Sequence, residues 1–190
     1  VRNNIAGTVL NSIEEILKKQ DFVLVAIDGR CGSGKTTLAA QLKELGDYEI
    51  IQMDHFYPRL SQRTPQRLSE PGGNLDRERI LEEVMKPLGR REKFEYRPYD
   101  PVSHSFADPV EINPGRAVVL EGSYSCHPDL FDYYDLRVFM TVGMPERLRR
   151  IRARNGEEGL EQFKKLWIPK EELYFETFGI ENRCDLCFET

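Results

Sequence analysis

The chain is short of the residues from which metal clusters and disulfide frameworks are built: 190 residues include four cysteines and three histidines. The cysteines, Cys31, Cys126, Cys184 and Cys187, are scattered. Cys184-Asp185-Leu186-Cys187 has the spacing of half a zinc knuckle, but no second half exists. It also lies in a terminal apolar stretch that reads as a strand, where residues three apart face opposite sides. No metal or redox role is assigned to it. No apolar run approaches the length of a membrane span, and no basic-then-apolar segment opens the chain, so no membrane partner is expected. An excess of basic charge is missing too. Against 27 Lys and Arg stand 32 Asp and Glu, a net charge of −5, which argues against a nucleic-acid partner. Repeats and low-complexity segments are absent. What remains, 39% hydrophobic and 31% charged, suits a globular chain whose length fits a single domain over residues 1–190.

Against these absences one stretch stands out. Gly29-Arg30-Cys31-Gly32-Ser33-Gly34-Lys35-Thr36 fits the pattern G-x-x-x-x-G-K-[ST], and Thr37 follows it. The apolar run Phe22-Val23-Leu24-Val25-Ala26-Ile27 precedes it, as a buried parallel strand would. Leu38, Ala39, Leu42 and Leu45 follow at helical spacing, and Gly46 supplies a stop. Strand, glycine-rich loop and helix together predict a phosphate-binding loop. Its backbone N–H groups turn inward on phosphate, and the helix N-terminus adds partial positive charge. Lys35 would reach the outer phosphates and Thr36 would ligate Mg²⁺. The chain is thereby expected to bind a nucleoside triphosphate. Reduced cysteines in such a protein point to a cytoplasmic setting.

Along the chain, Ile5, Val9, Ile13, Ile16 and Leu17 mark an N-terminal helix. A second strand, 48–53, delivers Asp54 at its end. Residues 58–74 are polar and read as a mobile connection. Asp76 opens a helix whose apolar side is Ile80, Leu81, Val84, Met85 and Leu88. Residues 94–112 read as a small β-hairpin insertion. Strand 117–122 ends in an acid, Glu121, and strand 136–142 leads to Pro145 at a helix start. That helix carries Arg147, Arg149, Arg150, Arg152 and Arg154, and Gly156 and Gly159 are expected to break it before a second helix at about 160–178. A last strand lies at 186–188. Alternating strands and helices predict an α/β three-layer sandwich of the P-loop NTPase type, with a mainly parallel five-stranded sheet and a helical lid at about 147–160.

Ligands in such sheets sit beyond the carboxyl ends of the strands. There the phosphate loop, Asp54 and Glu121 would converge. Phosphoryl transfer needs metal charge on the phosphates, an acceptor for the attacking hydroxyl's proton, and cations on the transferring group. Thr36, Asp54 and Glu121 are the metal candidates, and Asp54 is also the candidate proton acceptor. Arg147, Arg150 and Arg154, three and four residues apart, share one helical face. They read either as a lid over the phosphates, with Arg154 on ATP, or as a solvated face.

These residues carry a resemblance. The segments Ile27 to Thr37, Met53-Asp54-His55-Phe56-Tyr57, Asn74-Leu75-Asp76, Tyr99-Asp100-Pro101-Val102-Ser103-His104-Ser105, Leu120-Glu121-Gly122 and Arg147-Leu148-Arg149-Arg150 resemble the uridine kinase-like branch of P-loop small-molecule kinases. That branch includes pantothenate kinase, phosphoribulokinase and nicotinamide riboside kinase. The resemblance implies ATP and Mg²⁺ as cofactors and a small-molecule alcohol as acceptor, a nucleoside such as uridine or cytidine first. It implies that Asp54 and Lys35 are catalytic, with Arg147 and Arg150 in the lid. It places Tyr57, Asp76, Tyr99, His104 and Gln162 on the substrate. Asp76 also reads as a plain helix cap, and His104 as a surface histidine. The chain departs from the pattern at Phe106, where the branch has arginine, and at Asn155-Gly156-Glu157-Glu158-Gly159, where its lid is more basic. Left open are another alcohol as acceptor, a homo-oligomer, and a non-catalytic nucleotide switch. The chain lacks the Asn-Lys-x-Asp segment with which a GTPase-type switch would read guanine.

Overall fold

The alternation of strand β1, Val23–Gly29, decides the layering. All seven of its residues are buried, so both faces of the sheet must be covered. Val23, Val25 and Ile27 point to one face, where α1 (Arg2–Leu17) and α2 (Lys35–Gly46) bring Val9, Ile13, Leu38 and Leu42 against them. Leu24 and Ala26 point to the other, which the helical stretch 77–90 and the helix Ile168–Phe178 cover with Ile80, Val84, Leu88 and Phe175. This computed structural model describes residues 2–190, with side chains from residue 5 onward; residue 1 of the expected 1–190 domain lies outside the described residues.

The remaining strands are β2 (Glu49–Gln52), β3 (Phe94–Tyr96), β4 (Tyr99–Asp100), β5 (Ser105–Phe106), β6 (Val110–Ile112), β7 (Ala117–Glu121), β8 (Leu136–Thr141) and β9 (Leu186–Glu189). Five of them form one sheet in the order β2-β7-β1-β8-β9, with every neighbouring pair parallel. β7 lies between β1 and β2, with Glu121 in register with both Ile27 and Gln52. The acid at its end is thus held beside the phosphate loop. Residues 94–112 form the expected antiparallel excursion, as β3 against β6 and β4 against β5.

Two expectations are corrected. The stretch 58–74 is built rather than a bare connection. Thr64 caps a short helix, Pro65–Ser69, by accepting from the Arg67 N–H at 3.1 Å. The Arg67 guanidinium then ties Leu75 O at 2.8 Å and Glu78 at 2.7 Å. Side-chain bonds of this kind carry no apolar periodicity, so the pattern did not announce them. In the lid, only Gly156 breaks the helix Met144–Gln162, at φ 71° and ψ −175°. Helix runs on through Gly159 and a π-turn to Phe178.

Asp28 is fully buried and accepts from the N–H groups of Gly29 (2.7 Å), Tyr124 (3.1 Å) and Cys126 (2.9 Å) and from the Tyr174 hydroxyl (2.8 Å). It pins the loop after β7 to the phosphate-loop strand. Burial pushes its carboxyl up to about 6. His127, in the same loop, stacks on Tyr174 and accepts from the Asp129 N–H at 3.2 Å. Burial lowers its pKa to about 4, with Arg77 acting the same way and Asp129 opposing. The unfolded chain takes up this proton near pH 6.5 and the folded chain does not, so stability falls as pH drops from 6.5 towards 4. The raised Asp28 carboxyl works in the opposite direction, and comparison with a variant cancels it. His127→Asn keeps the cap acceptor and removes the titration. Between pH 7.5 and 5.0 the wild type should lose about 2 kcal/mol more stability in urea denaturation than this variant. Equal losses would show that His127 titrates alike in the folded and unfolded chains.

Candidate active site

The phosphate loop is shaped by close approach. A Cβ on Gly29 would lie 2.0 Å from the Met140 carbonyl oxygen, and its φ of 133° suits glycine alone. Gly34, in the left-handed region at φ 95°, turns the chain into α2. Lys35 is buried at the start of that helix, and its ammonium donates to Gly29 O (2.6 Å) and Arg30 O (3.1 Å). It is held across the mouth of the loop, where an outer phosphate of a nucleotide would lie.

Opposite it, the Thr36 hydroxyl donates to Glu121 at 3.2 Å. Glu121 is buried, and burial raises its pKa above the ordinary value; the Asp54 charge adds to the rise, and Lys35 and Thr36 pull against it. A buried carboxylate crowded by a second one is stabilised by a cation. One hydroxyl and two carboxylates are hard oxygen donors, too few to cage an ion, and that suits Mg²⁺, which keeps several waters. Asp54 is exposed, in the 3₁₀ turn Met53–Phe56 directly after β2. All of these groups line one cavity of about 960 Å³. It also takes in Thr37, Tyr57, Arg149, Arg150, Arg154 and Trp167.

Comparison with known proteins bears on the fold. No family model matches the chain. Uridine kinase of Chlamydia pneumoniae is 26% identical over 146 residues, covering 72% of this chain. The match spans 65% of that protein's length, just under two thirds. A possible uridine kinase from Bacillus stearothermophilus superposes with a TM-score of 0.66 at 19% identity, over 95% of this chain and 99% of that one. YFH7 from Saccharomyces cerevisiae superposes at 0.68 with 12% identity, over 98% and 99%. The fold is that of the P-loop kinases. Within the P-loop kinase fold, the residues singled out from the sequence separate into two groups.

Lys35, Thr36, Asp54, Glu121, Arg150, Arg154 and Tyr57 meet at the cavity. Arg150 reaches the loop itself, donating to Gly32 O at 3.0 Å while pairing with Glu146 at 2.7 Å. Arg147 does not face the cavity. It is fully buried, bonded to Glu171 and Glu172 at 2.6 Å each and to Cys31 Sγ at 3.4 Å. Arg30 likewise turns away, pairing with Glu172 and Glu181 at 3.1 Å each, with its guanidinium near the Phe139 and Phe175 rings. A helical period puts Arg147 and Arg150 on one face; which of them is buried against the acids of another helix depends on how the helix Ile168–Phe178 packs.

Among the substrate candidates, Asp76 is fully buried. Its carboxylate caps the helix at Arg79 N (3.3 Å), accepts from Gln62 Nε2 (2.9 Å) and lies 3.4 Å from Arg59. Tyr99 packs edge-on against Phe106, with centroids 5.3 Å apart, so the residue that departs from the branch pattern covers it. His104 is exposed in the β4–β5 turn and Gln162 is exposed on the lid helix; none of these four lines the cavity. Sequence reading missed Glu171. It accepts from Cys31 N (3.1 Å), Ser123 Oγ (2.5 Å) and Arg147 (2.6 Å), joining the phosphate loop, the loop after β7 and the lid. The signal available was an adjacent acid pair, Glu171-Glu172, following an arginine-rich helix.

Removing one partner of a buried ion pair strands the other charge. Arg147→Met should therefore lose about 3 kcal/mol or more of stability. Arg150→Met, whose partner Glu146 is half-exposed, should lose about 1 kcal/mol or less. Urea denaturation of both variants checks this. Equal losses would remove the distinction drawn between them.

Proposed function

We propose that this protein is an ATP-dependent phosphotransferase acting on a hydroxyl of a small molecule, with the 5′-hydroxyl of a nucleoside such as uridine or cytidine as the first candidate. The observation that carries this is the meeting, in one cavity, of Lys35 on the loop, the Thr36–Glu121 pair, Asp54 and Arg150. A binding module needs the loop; it does not need an exposed acid and a lid cation beside it. The match to a uridine kinase supports the nucleoside as acceptor.

In this reading the acceptor hydroxyl gives its proton to Asp54 as its oxygen bonds to the γ-phosphorus. The bond to the bridging oxygen breaks, and ADP leaves with that electron pair. Lys35 neutralises charge on the outer phosphates. Arg150 exchanges its bond to Gly32 O for the transferring group, whose charge is most exposed in the transition state. Thr36, Glu121 and Asp54 would hold Mg²⁺, which supplies charge that draws together and neutralises the phosphate oxygens. Arg147 acts behind this machinery by fixing the lid base.

A second reading, in which the acceptor is an alcohol other than a nucleoside, is favoured by the placement of Asp76, Tyr99 and His104. The three residues that the resemblance puts on ribose and base lie off the cavity. Acceptor-dependent ADP release, measured over a panel of alcohols, tests the phosphotransferase reading. Lys35→Ala should abolish release while leaving the circular dichroism unchanged. Arg150→Ala should lower turnover by about 10³-fold with a much smaller change in ATP affinity. Full turnover in Lys35→Ala would end the reading.

A further inference from the structure

The four cysteines are placed differently by the fold. Cys31 is buried in the phosphate loop, where its Sγ accepts from Arg147 Nε at 3.4 Å. Cys187 is exposed on β9 and gives its thiol to Glu181 O at 3.2 Å. The other two meet. Cys126 is fully buried in the loop after β7, Cys184 is half-buried just before β9, and their sulfurs lie 3.9 Å apart although the residues are 58 apart in the chain. In the sequence Cys187 is the nearest partner for Cys184; the fold supplies a different one.

Both segments at this contact have anchored backbones. The Cys126 N–H donates to Asp28 at 2.9 Å, and the Tyr124 N–H of the same loop donates to Asp28 at 3.1 Å. The Cys184 N–H donates to Ile180 O at 3.2 Å, and the next N–H, that of Asp185, donates to Arg137 O at 2.9 Å. Sulfurs in contact are within reach of a bond that side-chain rotation can close. The strand that Cys184 leads into is the weaker side of the pair. β9 lies at the edge of the sheet and pairs with β8 alone, and at its far end Thr190 donates to Ser33 O in the phosphate loop and accepts from Arg150, at 2.9 Å each.

We propose that Cys126 and Cys184 are a redox pair, which a small disulfide of the glutathione class closes into a bond that fastens β9 to the loop after β7. Cys184, the accessible member, reacts first. Its thiolate attacks one sulfur of the oxidant, the oxidant's S–S bond breaks, and one small thiolate leaves and is protonated. Cys126 then gives its proton to solvent and attacks the Cys184 sulfur, and the second small thiolate leaves and is protonated. One oxidant is reduced to two thiols while two cysteine thiols are oxidised to one disulfide. Burial holds the Cys126 thiol well above its ordinary range, with Cys184 and Asp28 acting the same way and Arg137 opposing, so Cys126 enters only as the second, intramolecular partner. Neither sulfur lines the cavity, so closure leaves the phosphate site open. The bond acts on the sheet edge instead: opening β9 would then require moving the Cys126 loop as well.

The test equilibrates the reduced full chain with glutathione disulfide, blocks the remaining free thiols and identifies linked peptides by mass spectrometry. The expected product is a Cys126–Cys184 bond with Cys31 and Cys187 free. Cys187→Ser should form the same bond, Cys184→Ser should leave Cys126 free, and Cys126→Ala should stop at glutathione on Cys184. Should Cys126→Ala fail to fold, the wild-type map and Cys184→Ser decide alone. The bonded form should unfold at higher urea, with the folding equilibrium moved by about 10³-fold, because the bond closes a long loop of the unfolded chain. Amide exchange in β9 should slow, and ATP affinity measured by calorimetry should be retained. A Cys184–Cys187 bond, glutathione left on Cys184 with Cys126 free, or no reaction would overturn the inference. So would unchanged exchange in β9, or loss of ATP binding on closure, which would show that the bond distorts the phosphate loop instead of fastening the edge.

Discussion

The ion pair between Arg147 and Glu171 is the contact on which the arrangement of the site depends. Both residues are buried, and each makes further hydrogen bonds, Arg147 to Cys31 and Glu172 and Glu171 to Cys31 and Ser123. Such a pair is weak evidence for net stability, because desolvation offsets the attraction. Its consequence here is positional. Through Glu171 the lid helix, the phosphate loop at Cys31 and the loop after β7 at Ser123 are fixed to one helix. That helix follows directly on Trp167 and carries Lys170, which holds Asn74. Shifting it would move Trp167 and Lys170 together with the contacts that hold the phosphate loop at Cys31.

A second constraint is the crowding of charge at the sheet's carboxyl edge. β7 lies between β1 and β2, so Glu121, Asp54 and the loop lysine converge because strand order demands it. Glu121 feels Asp54 strongly enough to raise its pKa further, and only Lys35 and Thr36 offset this. A divalent cation, as in the reading proposed above, would relieve that tension. Asp28, one residue before the loop's first glycine, is the contrasting case. Three backbone N–H groups and a phenol satisfy it, so it is a structural carboxylate despite its raised pKa.

Much of this was legible beforehand because it is local. The loop's glycines, the apolar run before them and the helical spacing after them lie within a few residues of one another, and backbone geometry alone translates them into strand, turn and helix. The pieces at 94–112 and the break at Gly156 were legible for the same reason. Asp54 and Glu121 could be placed at the same edge once the strands were assigned parallel, since parallel strands deliver their ends to one side. The stretch 58–74 was not legible. Its order comes from Arg67 reaching Leu75 O and Glu78, and a bond of that kind leaves no periodic trace.

The arginines mark the boundary most clearly. By itself the sequence determined that Arg147, Arg150 and Arg154 share a helical face, because 3.6 residues per turn leave no other outcome. Which of them is a buried anchor and which reaches the phosphate loop was decided by tertiary structure, through the packing of the acid pair Glu171-Glu172 against Arg147. Asp76 divides in the same way. An acid before a helix can cap it or bind a ligand, and only the folded chain shows that this one caps the helix with Arg59 and Gln62 closed around it. Local spacing sets which side chains share a face. What that face meets is set by residues distant in the chain, and burial then determines whether a charge is free to act.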